Sequence, residues 1–129
     1  MTMSSKHPLD YAPRSFWEMV ALARRDQEQF IETLGNMNRE ALIEFIWTFE
    51  EVAAEFKYEP YTDHVSSDLS EDGIDDVSIW VVEQGRDYAY EVYDVPSRMP
   101  KRVDHPIGFL SKAVRMFYQR FEGPVPFKT

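Results

Sequence analysis

The chain has 129 residues without a cysteine, and 43% of them are hydrophobic and 15% aromatic. This length and composition predict one domain with its own core, and they exclude disulfides, cysteine–zinc sites and thiol catalysis. The net charge of −9 disfavours unassisted nucleic-acid binding, because phosphates repel acidic proteins, and it is compatible with a basic protein partner.

The two ends of the chain differ from its middle. Residues 1–12 are polar and lack periodicity, which predicts a flexible leader before a helical domain over residues 13–123. Pro124 and Pro126 predict that residues 124–129 form an extended tail. The leader lacks the apolar centre of a secretory signal, and no run of about 18 apolar residues occurs in the chain. We therefore expect a cytoplasmic protein.

Two short helical patterns come first. Ser15 begins an S-x-x-E capping-box pattern, which predicts a helix over residues 16–25. Asp26 is a candidate N-cap for a helix over residues 27–34, and Gly35 fits the left-handed position just past its end. The pattern is compatible both with one bent helix and with two separate helices.

The strongest helical signal follows. Asn38 is a candidate N-cap, and apolar residues then recur at spacings of three and four for four turns, until Pro60 prevents the helix from continuing. This pattern predicts an amphipathic helix over about residues 39–57 at the centre of an all-α domain of five or six helices. Its inward face consists of Leu42, Phe45, Ile46, Phe49, Val52, Ala53 and Phe56.

The stretch after this helix predicts two more. Ser70 or Asp72 caps the first, Gly85 ends it, and a short helix follows over residues 86–93. Residues 77–82 also fit a strand, although the helical period around them favours a helix. The apolar residues predicted to face inward on the first of these two helices are Ile74, Val77 and Val81.

A last helix is predicted near the C-terminus. Asp104 or His105 is expected to cap it, with Pro106 in its first turn and Gly123 after its end. The predicted inward residues, again at spacings of three and four, are Ile107, Leu110, Val114, Phe117 and Phe121.

The charge is concentrated in one part of the chain. Residues 63–94 contain ten acids and one base, a net charge of −9 that equals that of the whole chain. Residues 95–129 contain seven bases and two acids. Three interpretations of the acidic window stay open: a solvated face that supports helix N-termini, a docking surface for a basic protein, and a cation site.

Motifs for catalysis or metal binding are lacking. The stretch from Asp68 begins like a calcium-binding loop, but Ile79 stands where the loop needs a bidentate glutamate. His64 and Asp68 lie four residues apart, and two ligands are too few for a metal site. No HExxH, GxSxG, Walker or GxGxxG motif occurs. We therefore expect a non-enzymatic domain without a cofactor or a bound metal.

The acidic window also contains aromatic residues, which are favoured anchors of protein interfaces. This combination predicts an acidic protein-binding domain, of the kind found in immunity proteins or antitoxins that inhibit a basic, toxin-like partner. The alternative is a regulatory domain that binds a ligand or metal in a pocket between helices. The predicted partner-binding residues are Asp72, Asp75, Asp76, Trp80, Glu83, Asp87 and Tyr90.

One stretch resembles a known family. Residues 70–86 read S-E-D-G-I-x-x-V-x-x-W-V-V-x-x-G-R, and an acidic, aromatic helix that ends in D-x-P follows them. Together with the Phe16-Trp17-Glu18 triplet and the long apolar helix, this pattern resembles the bacterial family called domain of unknown function 4240 over about residues 15–97. The resemblance implies no reaction. The residues that carry it are Ser70, Glu71, Asp72, Gly73, Ile74, Val77, Trp80, Val81, Val82, Gly85, Arg86, Tyr90, Asp94 and Pro96.

Overall fold

The computed structural model describes residues 6–128, and within that range it contains helices and loops but no strand. The all-α prediction is confirmed, and residues 77–82 are helical. Within the same range, no helix combines the length and the apolar character needed to cross a membrane. The α-helices are α1 (Arg14–Arg25), α2 (Gln27–Asn36), α3 (Arg39–Ala54), α4 (Glu71–Glu83), α5 (Arg86–Asp94) and α6 (Phe109–Arg120), and 3₁₀ helices cover Pro8–Tyr11, Tyr61–His64 and Pro96–Arg98.

The long helix α3 is the centre of the domain, as its apolar period predicts. It packs against α1, α4 and α6. Phe49 and Val52 are completely buried, and burying one such side chain stabilises a fold by about 1.5–3 kcal/mol. The side chains of α3 that are buried are Leu42, Ile43, Phe45, Ile46, Phe49, Val52 and Ala53.

Three predicted N-caps are confirmed. Asp26, Asn38 and Ser70 each accept a hydrogen bond from the backbone N–H three residues further along, at 3.1, 2.7 and 3.2 Å respectively. Each bond satisfies an amide that lacks a partner within its helix. Because Asp26 has extended backbone angles between α1 and α2, these are two separate helices.

Two predicted helix ends are wrong. Helix α1 begins at Arg14, with the carbonyl of Pro13 accepting from the N–H of Phe16 at 3.0 Å, so Ser15 lies inside the helix and caps nothing. Helix α2 continues through Gly35 to Asn36. Gly35 therefore has a helical conformation and not the left-handed one, because α2 ends two residues later than predicted.

The N-terminal segment is not the loose leader that its composition predicts. Residues 1–5 lie outside the described part of the chain, but Pro8–Tyr11 form a 3₁₀ helix on the domain. Leu9 is fully buried and Ala12 is 5% exposed. A single anchoring side chain produces no periodic pattern, which is why the sequence does not reveal it. The packed domain thus begins by residue 7 and not at residue 13.

The C-terminal helix also differs from its prediction. Neither Asp104 nor His105 caps it, and α6 begins only at Phe109, after Gly108 with a φ of +111°. Ile107 is 37% exposed. Leu110, Val114 and Phe121 are only partly buried, Phe117 is buried as predicted, and the complete buried row of α6 consists of Phe109, Ala113 and Phe117.

Residues 124–128 lie beside α3 without regular secondary structure. The indole N–H of Trp47 donates a hydrogen bond to the carbonyl of Pro126 at 2.8 Å. Lys128 forms an ion pair with Glu51, and this hydrogen bond raises the pKa of Lys128. These contacts hold residues 126–128 against the central helix.

Candidate functional site: a groove between α4 and α6

Glu83, the last residue of α4, is fully buried. Its two carboxylate oxygens accept hydrogen bonds from the backbone N–H groups of Ile107 at 2.7 Å, Gly108 at 2.7 Å and Phe109 at 3.1 Å. The first amides of a helix lack partners within it and lie at the positive end of its dipole. Glu83 therefore caps the N-terminus of α6 from outside that helix, whose N-cap residue is Gly108. The glutamate side chain is enclosed and its carboxylate oxygens accept backbone hydrogen bonds, so this predicted partner-binding residue does not present its charge at the surface.

Next to this cap, α4 and α6 form the walls of a groove of about 690 Å³. Small-molecule sites typically have volumes of about 300–1,000 Å³. Tyr118, which is 56% exposed, lies on the α6 side. The apolar lining is Ile79, Pro106, Leu110, Val114 and Tyr118, and the polar lining includes Asp76, Ser111 and Arg115.

One carboxylate, that of Asp76, lines the α4 side of the groove, and a second, that of Asp72, lies one helical turn before it. Asp72, Asp76 and Ile79 follow one another at spacings of four and three residues, which places them on one face of α4. Asp72 is exposed and Asp76 is partly buried. Neither carboxylate forms a salt bridge with any residue in the described range. Their negative charge is therefore available beside an apolar surface.

Five other acids of the 63–94 window have a lysine, arginine or histidine partner. Asp75 lies 3.3 Å from Lys57, and Asp68 lies 2.5 Å from Arg102. Hydrogen bonds from Ser66 and Arg102 lower the pKa of Asp68. The remaining pairs are Asp87 with Arg86, Glu91 with Arg98, and Asp94 with His7. Apart from the buried Glu83, the acids of α4 that have no such partner among residues 6–128 are Glu71, Asp72 and Asp76.

The other predicted site residues lie away from the groove. Trp80 is partly buried and packs edge-on against Tyr88, with 5.7 Å between the ring centroids. Asp87 and Tyr90 line a shallow depression on α5. The predicted residues therefore do not form one surface: Asp76 lines the groove with Asp72 one turn before it on α4, and Asp87 and Tyr90 lie on α5.

Tyr90 belongs to a small network that joins α5 to the N-terminal segment. Its hydroxyl donates a hydrogen bond to Asp10 at 2.5 Å, and its ring stacks on His7 with 4.1 Å between centroids. Burial raises the pKa of Tyr90 to about 12, and the bond to Asp10 contributes to this shift. The same bond, with one from the backbone of His7, lowers the pKa of Asp10. These contacts stabilise the fold and leave Tyr90 little freedom to meet a partner.

His7 completes this network through both ring nitrogens. Nδ1 accepts the backbone N–H of Leu9 at 3.0 Å, and Nε2 lies 2.7 Å from a carboxylate oxygen of Asp94. Because Nδ1 is an acceptor, Nε2 carries the proton that is donated to Asp94. The histidine thus connects the N-terminal segment to the end of α5.

A metal site finds no support in the geometry. Within residues 6–128, no three histidine, aspartate or glutamate side chains lie close enough together to hold a metal ion. The residues that resemble a calcium loop serve separate purposes, since Asp68 bonds to Arg102 and Asp72 lies in the first turn of α4.

The α6 wall of the groove is the part that sequence reasoning missed. Leu110 and Val114 were expected to face the core, but Phe109 and Ala113 are buried in their place. The signal was the presence of two apolar rows on one helix, of which only one can face inward. The outward row, together with Tyr118, lines the groove.

The comparisons with known proteins agree with this architecture. The family described as protein of unknown function (DUF4240) matches residues 12–121. The chain belongs to this family. The match confirms the resemblance over residues 15–97 and extends it through α6, so the DUF4240 region includes both walls of the groove. No curated protein and no solved structure matches the chain.

Proposed function

We propose that this DUF4240 domain is a non-enzymatic protein-binding domain that docks a basic partner along the groove between α4 and α6. The observation that supports the proposal is a carboxylate without a salt-bridge partner among residues 6–128, that of Asp76, in the lining of an apolar groove, with a second such carboxylate, that of Asp72, one turn before it on the same face of α4. A partner would place apolar side chains in the groove and basic side chains against these carboxylates. Protein interfaces commonly combine an apolar centre with a polar rim in this way.

The apolar surface extends beyond the groove itself. Val114 and Tyr118 line both the groove and a neighbouring depression that includes the C-terminal tail. In that depression, Phe127 is 94% exposed, and next to the groove Ile107 is 37% exposed. Contiguous exposed apolar side chains with a polar border are typical of interaction sites.

The charge of the chain supports a basic partner. A net charge of −9 attracts a basic protein over distances up to the Debye length, about 8 Å at physiological ionic strength. Asp72 and Asp76 would then meet its lysines or arginines at contact. An inhibitor of a basic, toxin-like enzyme, such as an immunity protein or an antitoxin, would have this combination of small size and acidity.

The proposal is tested by charge reversal at matched positions. A partner is first captured from the host at low salt, purified, and titrated against the domain by calorimetry. We expect the double variant Asp72→Lys, Asp76→Lys to bind at least about tenfold more weakly, since charge pairs at interfaces contribute about 1.5 kcal/mol or more. The control is Asp87→Lys, Glu91→Lys on α5, which changes the net charge of the chain by the same amount.

The control separates local docking from long-range attraction. Equal weakening by both double variants would mean that only net charge matters. Unchanged binding by the groove variant would exclude docking at Asp72 and Asp76. A groove-filling variant, Val114→Trp, tests the apolar half of the proposal and should also weaken binding.

A second candidate function is favoured by the volume of the groove. About 690 Å³ of mainly apolar space would hold a small organic molecule, with Asp76 and Arg115 at its border. A fluorescent apolar probe, 8-anilinonaphthalene-1-sulfonate, should then bind the native domain, and Val114→Trp should abolish the signal. Asp72→Lys should leave it unchanged, whereas the same change should weaken a basic protein partner.

A further inference from the structure

The two walls of the groove between α4 and α6 carry opposite charges. Asp76 lines the α4 wall and has no salt-bridge partner within the described range. Arg115 lines the α6 wall, is exposed, and has no salt-bridge partner among residues 6–128 either. An acid and a base thus line the same groove without pairing with each other.

The complete helices show the same division of charge. Helix α4 contains five acids and no base, and α6 contains three bases and no acid. One of these bases, Arg120, is bonded to the carbonyl of Leu34 at 2.9 Å. A partner that carries only bases compensates the α4 wall and is repelled by Arg115 on the other. The face as a whole is therefore complementary to a surface that carries both signs.

A second copy of this chain presents such a surface. In a two-fold symmetric interface the same patch of both copies is used, so that residue i contacts residue j and j contacts i. An axis that runs along the groove places α4 of each copy against α6 of the other. Asp76 of each copy then faces Arg115 of the other copy, and one pair of residues forms two ion pairs.

Apolar side chains lie between the two charged walls. Ile79, Leu110 and Val114 line the groove, and Tyr118, which is 56% exposed, continues this surface toward the C-terminal tail. Association of two copies would remove these side chains from water, which is the main driving force of most protein interfaces. An apolar centre with charged residues at its border is the usual arrangement of such interfaces.

We propose that two copies of this chain associate through the groove face about a two-fold axis, with the carboxylate of Asp76 paired with the guanidinium of Arg115 from the other copy. The planar guanidinium can bond both carboxylate oxygens, which fixes the register of the two copies. A basic partner would compete with the second copy for the groove, and this consequence alone rests on the proposed function.

The proposal is tested by sedimentation equilibrium of the isolated domain from about 1 μM to about 1 mM, the range that covers weak to moderate association. The buffer contains about 0.15 M sodium chloride, because a Debye length of about 8 Å screens the repulsion between two chains of net charge −9. We expect the average mass to rise from that of a monomer to that of a dimer.

Two single charge reversals test the pairing. Asp76→Arg places two arginines opposite each other at both pairs of the dimer, and Arg115→Asp places two aspartates there. Each variant alone should associate at least about tenfold more weakly than the unmodified domain. An equimolar mixture of the two variants should restore the dimer, because every pair between unlike copies is again one acid and one base. That restoration also shows that both variants are folded.

The matched controls are Asp87→Arg on α5 and Arg14→Asp on α1, which change the net charge by the same amounts away from the groove. They should leave the dimer unchanged. A domain that stays monomeric at about 1 mM would overturn the proposal. So would a dimer that the groove variants weaken no more than the controls do, or a mixture that fails to restore association.

These outcomes are separate from those for the proposed function, because the isolated domain is measured without a partner. Arg115→Asp distinguishes the two directly. It should weaken association of the two copies, whereas it adds a carboxylate to the groove and should not weaken a basic partner.

Discussion

The two ends of α4 use the same kind of side chain in opposite ways. At the C-terminal end, Glu83 is fully buried and accepts three backbone hydrogen bonds from the start of α6. In the N-terminal half, Asp72 and Asp76 have no salt-bridge partner in the described range, and Asp76 lines an apolar groove. The carboxylate at one end is therefore part of the fold, and those at the other are available for a partner.

The difference shows that a count of acids does not identify a docking surface. Glu83 contributes to the charge of the acidic window as much as Asp76 does, but its charge is enclosed by amides. Charge on a surface supports binding only where the fold leaves it without compensation. In this domain, the paired acids lie mainly outside the groove, and the uncompensated acids of α4 lie in its first two turns.

The largest effect is expected at the C-terminal end of α4, where the buried Glu83 caps α6. Glu83→Gln should destabilise the domain by about 2–4 kcal/mol. The backbone N–H groups at the start of α6 would lose a charged acceptor, and at least one of them would face the NH₂ group of the glutamine, which cannot accept a hydrogen bond. Asp76→Asn, a matched change on the same helix, should cost less than about 0.5 kcal/mol. Urea unfolding measures both. Equal costs for the two variants would contradict the contrast between the ends.

A smaller effect is expected at the backbone that presents the amides to Glu83. Gly108→Ala should cost about 1–2 kcal/mol, because φ at this position is +111° and the added carbon would lie 3.3 Å from the hydroxyl oxygen of Ser111. Gly35→Ala is the control, since Gly35 is helical and has ordinary space around it. That change should stabilise the domain by about 0.5–1 kcal/mol. Thermal unfolding that showed the same sign for both would contradict the assigned conformations.

Asp10 is a third kind of carboxylate in this domain, because it is exposed but hydrogen-bonded. Its effect should be visible in the pKa of Tyr90. Asp10→Asn should move the pKa of Tyr90 from about 12 toward its ordinary value near 10, because the negative acceptor is lost. A raised pKa stabilises the folded state below pH 10, and this contribution is lost as the pH rises through about 12. Resonance titration of the Tyr90 ring measures the shift, and Asp87→Asn on the same helix should change it far less.

The smallest effect is expected at an exposed pair of α4. Asp75 lies 3.3 Å from Lys57, and their side chains are 47% and 31% exposed. Asp75→Asn should change the free energy of unfolding by less than about 0.5 kcal/mol, because surface ion pairs are screened by water and salt. A cost above 1 kcal/mol that disappears in 1 M salt would show that the N-terminal half of α4 also depends on its charges for stability.

The features that the sequence predicted are those that depend on neighbouring residues. The caps Asp26, Asn38 and Ser70 each bond an amide three residues away, so a short pattern contains the whole interaction. The apolar residues of α3 recur along a single side of the helix for four turns, so only that side can face the core. Local hydrogen bonds and a single apolar stripe can therefore be predicted without knowledge of the tertiary structure.

The features that the sequence did not predict depend on distant residues. The cap of α6 comes from Glu83, 26 residues before Phe109, whereas the expected caps, Asp104 and His105, lie just upstream. Two apolar rows on α6 also leave its inward face undecided until α2 and α3 cover one of them. The groove, which uses the uncovered row, is a product of this tertiary choice.

The origin of the α6 cap has a kinetic consequence. A 12-residue helix is marginal on its own in water, and α6 obtains its cap only when the chain closes a loop of 24–26 residues back to α4. Closing that loop costs entropy before any of the three hydrogen bonds can form. We therefore expect α6 to dock late in folding, after α4 has formed, and a peptide of residues 103–123 alone to have little helical content.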